Sequence, residues 1–273
     1  MRTLGALGDH WALYWRLVAA RGRSQMQYKV SFILVALGGF AANLTEFAAL
    51  YVLLGRIPHL AGWSLGEVAL LYGMSAVSFA LAEMVAAGFD DFQVRIVQGT
   101  FDRVLTRPRG AFFQTLAEDL ALRRLGRACQ GVVVLLIAQR HLAVEWTADK
   151  LLVLALGIAG GLAIFFAIFV LGAAFCFWTV QGKEATHIFT YGGTTLASYP
   201  LDIFDGWVRR FVTFVLPLAF VNYYPAVYLL GRPDPLGFPR WVGLLSPLVA
   251  AACGLLAWWG WSAGVRHYQS TGS

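Results

Sequence analysis

The stretch LLVLALGIAGGLAIFFAIFVLGAAFCFWT, residues 151–179, contains no charged side chain. A helix crosses the hydrocarbon core of a bilayer with about 20 apolar residues, and the usual range is about 17–25. This run is longer, so we expect a helix that is tilted or that protrudes from the membrane. The stretch therefore indicates an integral membrane protein.

The composition of the whole chain supports the same class. Of its 273 residues, 59% are hydrophobic and only 13% are charged, whereas soluble domains carry about 25% charged residues. The chain lacks the charge to cover a water-facing surface, and we predict one membrane domain. The net charge of +6 fits positively charged cytoplasmic loops, so nucleic acid is not an expected partner.

Six apolar runs predict an all-α integral membrane fold with six transmembrane helices. They cover residues 30–54, 66–88, 126–142, 151–179, 211–230 and 241–263. The third is the weakest, because arginines lie near both of its ends. The fifth contains Pro217 and Pro225, which leaves two alternatives, a kinked span and a re-entrant segment.

The loops between these runs predict the orientation. We divide the chain into an interfacial amphipathic helix at 1–28, a transmembrane domain at 29–264 with a cytoplasmic loop at 89–125, and a tail at 265–273. With the N-terminus inside, the cytoplasmic segments, which include 180–210, hold 15 of the 21 Lys and Arg residues, and Arg127 at the inner edge of the third span makes 16. This excess predicts that both termini are cytoplasmic.

The N-terminal segment GDHWALYWRLVAARGR, residues 8–23, is predicted to form a helix. Asp9 suits its N-cap and Gly22 suits its end. One face is apolar and is formed by Trp11, Tyr14, Trp15 and Val18. Such a helix lies in the membrane interface, although an ordinary cytoplasmic anchor without a specific role remains an alternative.

The segment IVQGTFDRVLTRPRG, residues 96–110, interrupts the apolar runs with charge. A helical wheel collects apolar residues on one side: Val94, Val97, Phe101, Val104 and Leu105. Pro108 is expected to end this helix, and a second helix follows. The apolar stripe can rest on the protein's own membrane face, dock into a partner, or belong to an ordinary solvated loop.

Three further segments accompany this loop: QYKVSF at 27–32, GWSLGEVALLYG at 62–73 and YPLDIFDGWVRRFVTFVLPLAFVNYYPAVYLLG at 199–231. Together, over roughly residues 10–265, they resemble the permeases of ABC-type exporters. More narrowly, the chain resembles the uncharacterised transport-system permease branch of the ABC type-2 membrane-domain superfamily. The resemblance implies six membrane helices and a homodimer, or a heterodimer with a sister permease, in the bacterial cytoplasmic membrane.

The resemblance also implies two ABC ATPase subunits beneath the permease pair. The loop after the second span would carry a coupling helix around residues 95–107. Its residues would be Arg95, Gly99, Phe101, Asp102, Arg103, Leu105, Arg107 and Pro108. ATP and Mg²⁺ would bind to the partner, since this sequence has no G-x-x-x-x-G-K-[ST] stretch, and the chain itself is not expected to be an enzyme.

Three polar residues in the spans are candidates for the translocation path or an interface: Asn43, Glu46 and Glu83. A charge at mid-bilayer costs about 2.5–3.5 kcal/mol, so Glu46 should face protein or water. For Glu46 the alternative is a helix–helix hydrogen bond, and for Glu83 it is a pair with a cytoplasmic arginine. The fold suggests amphipathic cargo such as lipids, drugs or peptides, by analogy alone.

Other functions have less support in the sequence. A standalone secondary transporter or channel would show internal repeats and midplane charges, and a membrane enzyme would need clustered catalytic residues. Asp202 and Asp205 lack a matching histidine or nucleophile, so we prefer a structural role for them. The cysteines and histidines show no ligand spacing, and no metal site is predicted.

Two glycine pairs have the spacing of close helix contacts: Gly157 with Gly161, and Gly260 with Gly264. Small residues at this spacing let two helix backbones approach each other. The sequence leaves open whether these contacts lie within the chain or between two permeases, and we favour contacts within the chain.

Overall fold

The computed structural model describes residues 16, 19–56, 59–142, 144–179 and 182–269. This part of the chain is helical, without a β-strand, and has a single bridge between Leu60 and Trp63. Four helices are long and apolar enough to cross a membrane: Ala19–Arg56, Leu65–Val85, Ala148–Phe175 and Arg240–His267. The prediction of an all-α fold with helices that can cross a membrane is therefore confirmed.

The α-helices of the described residues are numbered in chain order. They are α1 (Lys29–Arg56), α2 (Leu65–Val85), α3 (Ala87–Asp90), α4 (Phe92–Val97), α5 (Asp102–Leu105), α6 (Ala111–Leu116), α7 (Leu125–His141), α8 (Ala148–Phe175), α9 (Gly182–His187), α10 (Gly193–Ala197), α11 (Gly206–Arg210), α12 (Tyr223–Leu230) and α13 (Ser246–His267). Two π-helical turns, Ile188–Gly192 and Phe211–Val215, extend α9 and α11. A 3₁₀ turn, Arg240–Leu245, precedes α13.

Helix α2 lies at the centre of the bundle. It is mostly apolar and most of it is buried, as expected for a helix that lacks a continuous polar face. Glycines bring α7 against it, because a side chain on Gly73 would meet Leu135 and one on Gly131 would meet Val77. Helix α1, by contrast, is mostly exposed, so its surface is available to lipid or to another protein.

We name the two ends of the bundle after residues at the ends of α2, the Trp63 end and the Glu83 end. Helix α8 runs parallel to α2, with Gly157 against Met74 and Gly161 against Ser78. The other predicted glycine pair also packs within the chain, since Gly264 faces the Phe177 ring. The structure therefore confirms the internal alternative for both pairs.

The segment 211–230, for which the sequence left a kinked span and a re-entrant segment open, is not one helix. The π-helical turn stops at Val215, Pro217 cannot donate the next hydrogen bond, and α12 starts only at Tyr223. The first and last residues of the segment both lie near the Trp63 end, because Arg209, which acts through Asp202, and Arg232 lie on either side of it and are linked to groups at the start of α2. The segment enters the bundle and returns, which is the re-entrant alternative.

Two arginines fix the ends of this re-entrant segment. On its entering side, the Arg209 guanidinium donates to the Asp202 carbonyl, and the Asp202 carboxylate accepts a bond from the Trp63 indole. On its returning side, Arg232 forms an ion pair with Glu67 at 2.8 Å. Trp63 and Glu67 both lie at the start of α2, so the two sides meet at one end of the bundle.

Residues 182–198, predicted to be part of a cytoplasmic loop, run the length of the bundle instead. At the Glu83 end Tyr191 donates to Glu83. Nearer the Trp63 end the Asn222 amide donates to the carbonyls of Ala197 and Leu71. The loop assignment of residues 180–210 is therefore wrong.

The sequence conceals this segment because it is rich in hydroxyl groups. Thr186, Thr190, Thr195 and Ser198 each donate to the carbonyl four residues earlier in the helix. Such bonds satisfy the hydroxyl locally, so a polar-looking sequence can form a helix among apolar neighbours. Hydropathy alone does not detect that compensation.

At the N-terminus, the predicted helix end at Gly22 is also wrong. The helix continues through Gly22 into α1, and Gly22 is buried against Leu122. The Gln25 side chain holds this stretch to the later loop through the Leu120 carbonyl and the Leu122 amide. The predicted cap at Asp9 and the face formed by Trp11, Tyr14, Trp15 and Val18 lie outside the described residues.

Replacing Asp202 with alanine should destabilise the protein by about 1.5–3 kcal/mol. The Asp202 carboxylate accepts bonds from the buried Trp63 indole at 2.8 Å and the buried Tyr223 hydroxyl at 3.0 Å. Loss of this charged acceptor leaves both donors unpaired. Thermal unfolding of the purified protein measures the effect. Asp205→Ala is the matched control, because Asp205 is exposed and its side chain caps no helix; equal losses in both variants would contradict the prediction.

Candidate functional site

A polar cavity of about 590 Å³ lies among α1, α2, α7 and the 182–198 segment. Most of its walls carry hydroxyl, amide or charged groups. The lining residues are Asn43, Glu46, Leu50, Tyr72, Ala76, Arg127, Tyr191, Thr194, Thr195, Ser198 and Tyr199. The structure thus brings together two of the predicted translocation residues, Asn43 and Glu46.

Contacts within and between helices hold the cavity walls. The Asn43 side-chain amide donates within α1 to the Gly39 carbonyl at 2.7 Å, and the Tyr72 hydroxyl of α2 donates to the Asn43 backbone carbonyl at 3.1 Å. The Arg127 guanidinium lies 4.7 Å from the centre of the Phe79 ring. A cation over an aromatic face is attracted to it, so the Phe79 ring stabilises the position of Arg127 at the edge of the apolar core.

Glu46 lies near the middle of α1, and its side chain is exposed. An ionised carboxylate at mid-bilayer is costly and rarely faces lipid. The two alternatives for Glu46 were a place on the translocation path or an interface, and a helix–helix hydrogen bond. In the structure Glu46 lies in a cavity wall, which fits the first. The open side of this cavity therefore needs water or another protein rather than acyl chains.

Glu83 lies outside the cavity lining but is linked to it. Its carboxylate is only 2% exposed and pairs with Arg124 at 2.8 Å. The same oxygen accepts the Tyr191 hydroxyl at 2.6 Å, and Tyr191 lines the cavity. The structure therefore contains the predicted pair between Glu83 and an arginine, which is Arg124.

The predicted single helix around 95–107 is wrong, because residues 92–105 of the loop that follows α2 form two short helices. Helix α4 ends at Val97 and α5 begins at Asp102. Between them Gly99 has φ +64, a left-handed conformation that glycine adopts at no steric cost. The chain therefore changes direction where the helical wheel assumed continuity.

Phe101 anchors this loop to the rest of the protein. Its side chain is fully buried, and its ring lies 5.1 Å from Phe92, 5.4 Å from Phe177 and 5.1 Å from Tyr268, measured between ring centres. Trp261 of α13 completes the cluster. The loop is thus tied to the ends of α8 and α13 at the Glu83 end.

The predicted apolar stripe is divided between two environments. Phe101 and Val104 are buried, whereas Val94, Val97 and Leu105 are 44%, 57% and 44% exposed. We call these three exposed side chains the loop patch. The predicted residues Arg103, Arg107 and Pro108 are also exposed, so apolar and cationic groups share the loop surface.

Two ionisable groups of the loop region are perturbed. Burial, followed by the neighbouring Asp102 carboxylate, raises the pKa of Tyr268 to about 12. Burial lowers the pKa of the Arg95 guanidinium, which forms an ion pair with Glu118. Asp102 and Arg95 therefore hold the loop to its surroundings, and the other predicted charges face outward.

Several lining residues of the cavity were missed by the sequence analysis: Tyr72, Arg127, Tyr191, Thr194, Thr195, Ser198 and Tyr199. The signal for four of them was present, because Tyr191, Thr194, Thr195 and Ser198 recur at the spacing of one helix face. The part of the chain that the structure describes contains no group of His, Cys, Asp and Glu that could hold a metal ion.

Replacing Gly99 with alanine should destabilise the loop by about 1–2 kcal/mol, since an L-residue is disfavoured in the left-handed region. Limited proteolysis of the loop and thermal unfolding measure this. Gly110→Ala is the control, because Gly110 has φ −58 and an added methyl group there would meet no atom. A Gly99 variant as resistant to protease as the Gly110 variant would contradict the prediction.

Comparison with known proteins identifies the family. The family model described as ABC-2 family transporter protein matches residues 40–272, which is most of the chain and includes the cavity and the loop. No curated protein and no solved structure matches the chain. The match confirms the resemblance stated above: the chain belongs to the ABC-2 transporter family and is a multi-pass membrane component of an ABC transporter.

Proposed function

We propose that the chain is the permease subunit of an ATP-driven exporter and that a separate ABC ATPase subunit docks on the loop patch. The observation that supports this proposal is that the loop has one buried side and one exposed side. Phe101 anchors the buried side in the aromatic cluster, while Val97 and Leu105 are exposed on the other. An apolar surface of this kind favours a docking role.

The contacts also provide a route from the loop to the cavity. Arg124 ends the segment that connects the loop to α7, and it pairs with Glu83. Glu83 in turn binds Tyr191 of the cavity wall. Closure of the ATPase subunits on ATP would displace the loop, and the displacement would reach the cavity through Arg124, Glu83 and Tyr191. It would favour either the inward-facing or the outward-facing state of the cavity.

A second permease, either another copy or a sister chain, would cover α1. This helix is largely exposed, and Glu46 on it is exposed and lines the cavity. Pairing along α1 would enclose the cavity between the two permeases and make it the translocation path. Its polar lining between apolar helices suits an amphipathic cargo such as a lipid, drug or peptide.

The proposed placement is the bacterial cytoplasmic membrane, with six passes and with the Glu83 end in the cytoplasm. The six passes are the four long helices together with α7 and the 182–198 segment. Arg95, Arg103, Arg107 and Arg109 lie at the Glu83 end, as an excess of positive charge in cytoplasmic loops requires. ATP and Mg²⁺ would be bound by the two ATPase subunits.

Co-purification from the native membrane tests this proposal. We expect the tagged chain to retain an ATPase subunit with a G-x-x-x-x-G-K-[ST] loop, and reconstituted transport to require ATP. Recovery of the chain alone, with transport that follows an ion gradient and ignores ATP, would contradict the proposal in favour of a secondary transporter.

A further inference from the structure

A second cavity, here called the arginine cavity, lies at the Glu83 end beside the loop. Its volume is about 520 Å³. Five arginine side chains line it: Arg21, Arg95, Arg103, Arg107 and Arg109. The only carboxylate in its described lining is Glu118, which already pairs with Arg95.

Among the residues that the structure describes, three of the five cavity arginines have no carboxylate partner. The carboxylates of Asp91 and Asp119 attract the guanidinium of Arg95. Arg95 is the least exposed of the five cavity arginines. Within the described ranges, Arg21, Arg103 and Arg107 form no ion pair. Guanidinium groups that converge on one cavity repel each other, and a bound anion would relieve this repulsion.

The position of the cavity points to the membrane surface. Arg21 lies about two helical turns before Lys29, where the apolar run of α1 begins. The headgroup layer adds about 5–8 Å on each side of the hydrocarbon core, and the long side chain of Arg21 can reach the cytoplasmic edge of that layer. The remaining wall includes the apolar side chains of Val104, Pro108 and Phe113, which can contact the glycerol and the first acyl carbons of a lipid.

The cavity is also held in shape by the protein itself. The Gln114 amide donates to the Val104 carbonyl at 2.9 Å and to the Arg109 carbonyl at 2.6 Å. These two bonds fix the turn that carries Arg107 and Arg109. A guanidinium matches a phosphate group through two parallel hydrogen bonds, so a fixed arginine cluster favours phosphate over a single carboxylate.

We propose that the arginine cavity binds the phosphate group of an anionic phospholipid in the cytoplasmic leaflet. This inference rests on the proposed orientation of the chain and is independent of the ATPase partner. A lipid in this place would contact the loop and the helix before α1 together. The lipid composition of the membrane would thereby influence how firmly the loop is held.

The test uses the purified full-length permease without any ATPase subunit. Phosphatidylglycerol is titrated into the protein in nanodiscs of phosphatidylcholine, and bound lipid is counted by native mass spectrometry. The triple variant Arg103→Gln/Arg107→Gln/Arg109→Gln should bind phosphatidylglycerol roughly 100-fold more weakly, as each arginine near the surface contributes about fivefold. Arg266→Gln, which removes an exposed charge at the same end outside the cavity, should bind like the wild type.

Three outcomes would overturn the proposal. The first is equal phosphatidylglycerol binding by the triple variant and the wild type. The second is equally tight binding of inorganic phosphate in detergent, which would assign the cavity to a soluble phosphate compound. The third is absence of phosphatidylglycerol binding by the wild type, with loss of the ATPase subunit from the triple variant in a separate co-purification, which would assign the cavity to an acidic protein surface. If the triple variant unfolds, Arg107→Gln alone should show the fivefold loss.

Discussion

Replacing Val97 and Leu105 together with aspartate should abolish ATP-dependent transport and leave the permease folded. Both side chains are about half exposed, so the substitutions should change the free energy of unfolding by less than about 0.5 kcal/mol. In a docked complex the two carboxylates would be buried in an apolar contact. Loss of an apolar anchor at an interface costs about 2 kcal/mol or more, so we expect the ATPase subunit to bind at least about 30-fold more weakly.

The control for this experiment is Thr106→Asp. Thr106 is exposed in the same loop, and its hydroxyl donates only to the Arg103 carbonyl. The variant therefore adds a negative charge without removing an apolar contact. ATPase activity, co-purification and transport are measured for both. Wild-type transport in the double variant, or an equal loss in the Thr106 variant, would show that the loop patch is not the docking surface.

This design differs from one based on the sequence alone. The helical wheel placed Phe101 on the same stripe as Val97 and Leu105, so Phe101 would be an obvious residue to replace. In the structure Phe101 is fully buried, and truncating it would cost about 3–5 kcal/mol of stability. A Phe101 variant therefore reports folding rather than docking, because Gly99 turns the chain before the stripe can continue.

The long helices were predictable because burial in lipid requires an apolar run. The predicted spans at 30–54, 66–88, 151–179 and 241–263 correspond to α1, α2, α8 and the helix that ends in α13. The 182–198 segment was not predictable in this way. It crosses the bundle with hydroxyl groups that donate to carbonyls of their own helix. The cost of burying these hydroxyl groups among apolar residues is offset only once the helix has formed.

The cavity could be predicted from sequence only in part. Glu46 was recognised because a carboxylate within an apolar run needs an explanation. Arg127 was assigned to the inner edge of a span, and Tyr191 to a loop, so neither was expected beside Glu46. Their proximity depends on α7 and the 182–198 segment packing around α2, which local patterns do not specify.

Replacing Arg124 with methionine should destabilise the protein by about 3–5 kcal/mol, because removing one partner of a buried ion pair leaves an uncompensated charge. Glu83 is 2% exposed and depends on Arg124 for its neutralising charge. The Tyr191 hydroxyl, which donates to the same carboxylate, cannot replace that charge. Glu83→Gln should cost less, because Arg124 is 37% exposed and can turn its charge toward water.

The double variant Glu83→Gln/Arg124→Met distinguishes this account from a simple loss of packing. If the buried charge causes the damage, neutralising Glu83 should recover much of the stability lost in Arg124→Met, so the double variant is more stable than that single variant. Thermal unfolding of all three proteins in the same detergent measures the cycle. Arg123→Met, at the exposed neighbouring arginine, should unfold like the wild type. Additive losses in the double variant would instead mean that Arg124 contributes through its aliphatic contacts, and the proposed route from the loop through Glu83 to Tyr191 would lose its electrostatic basis.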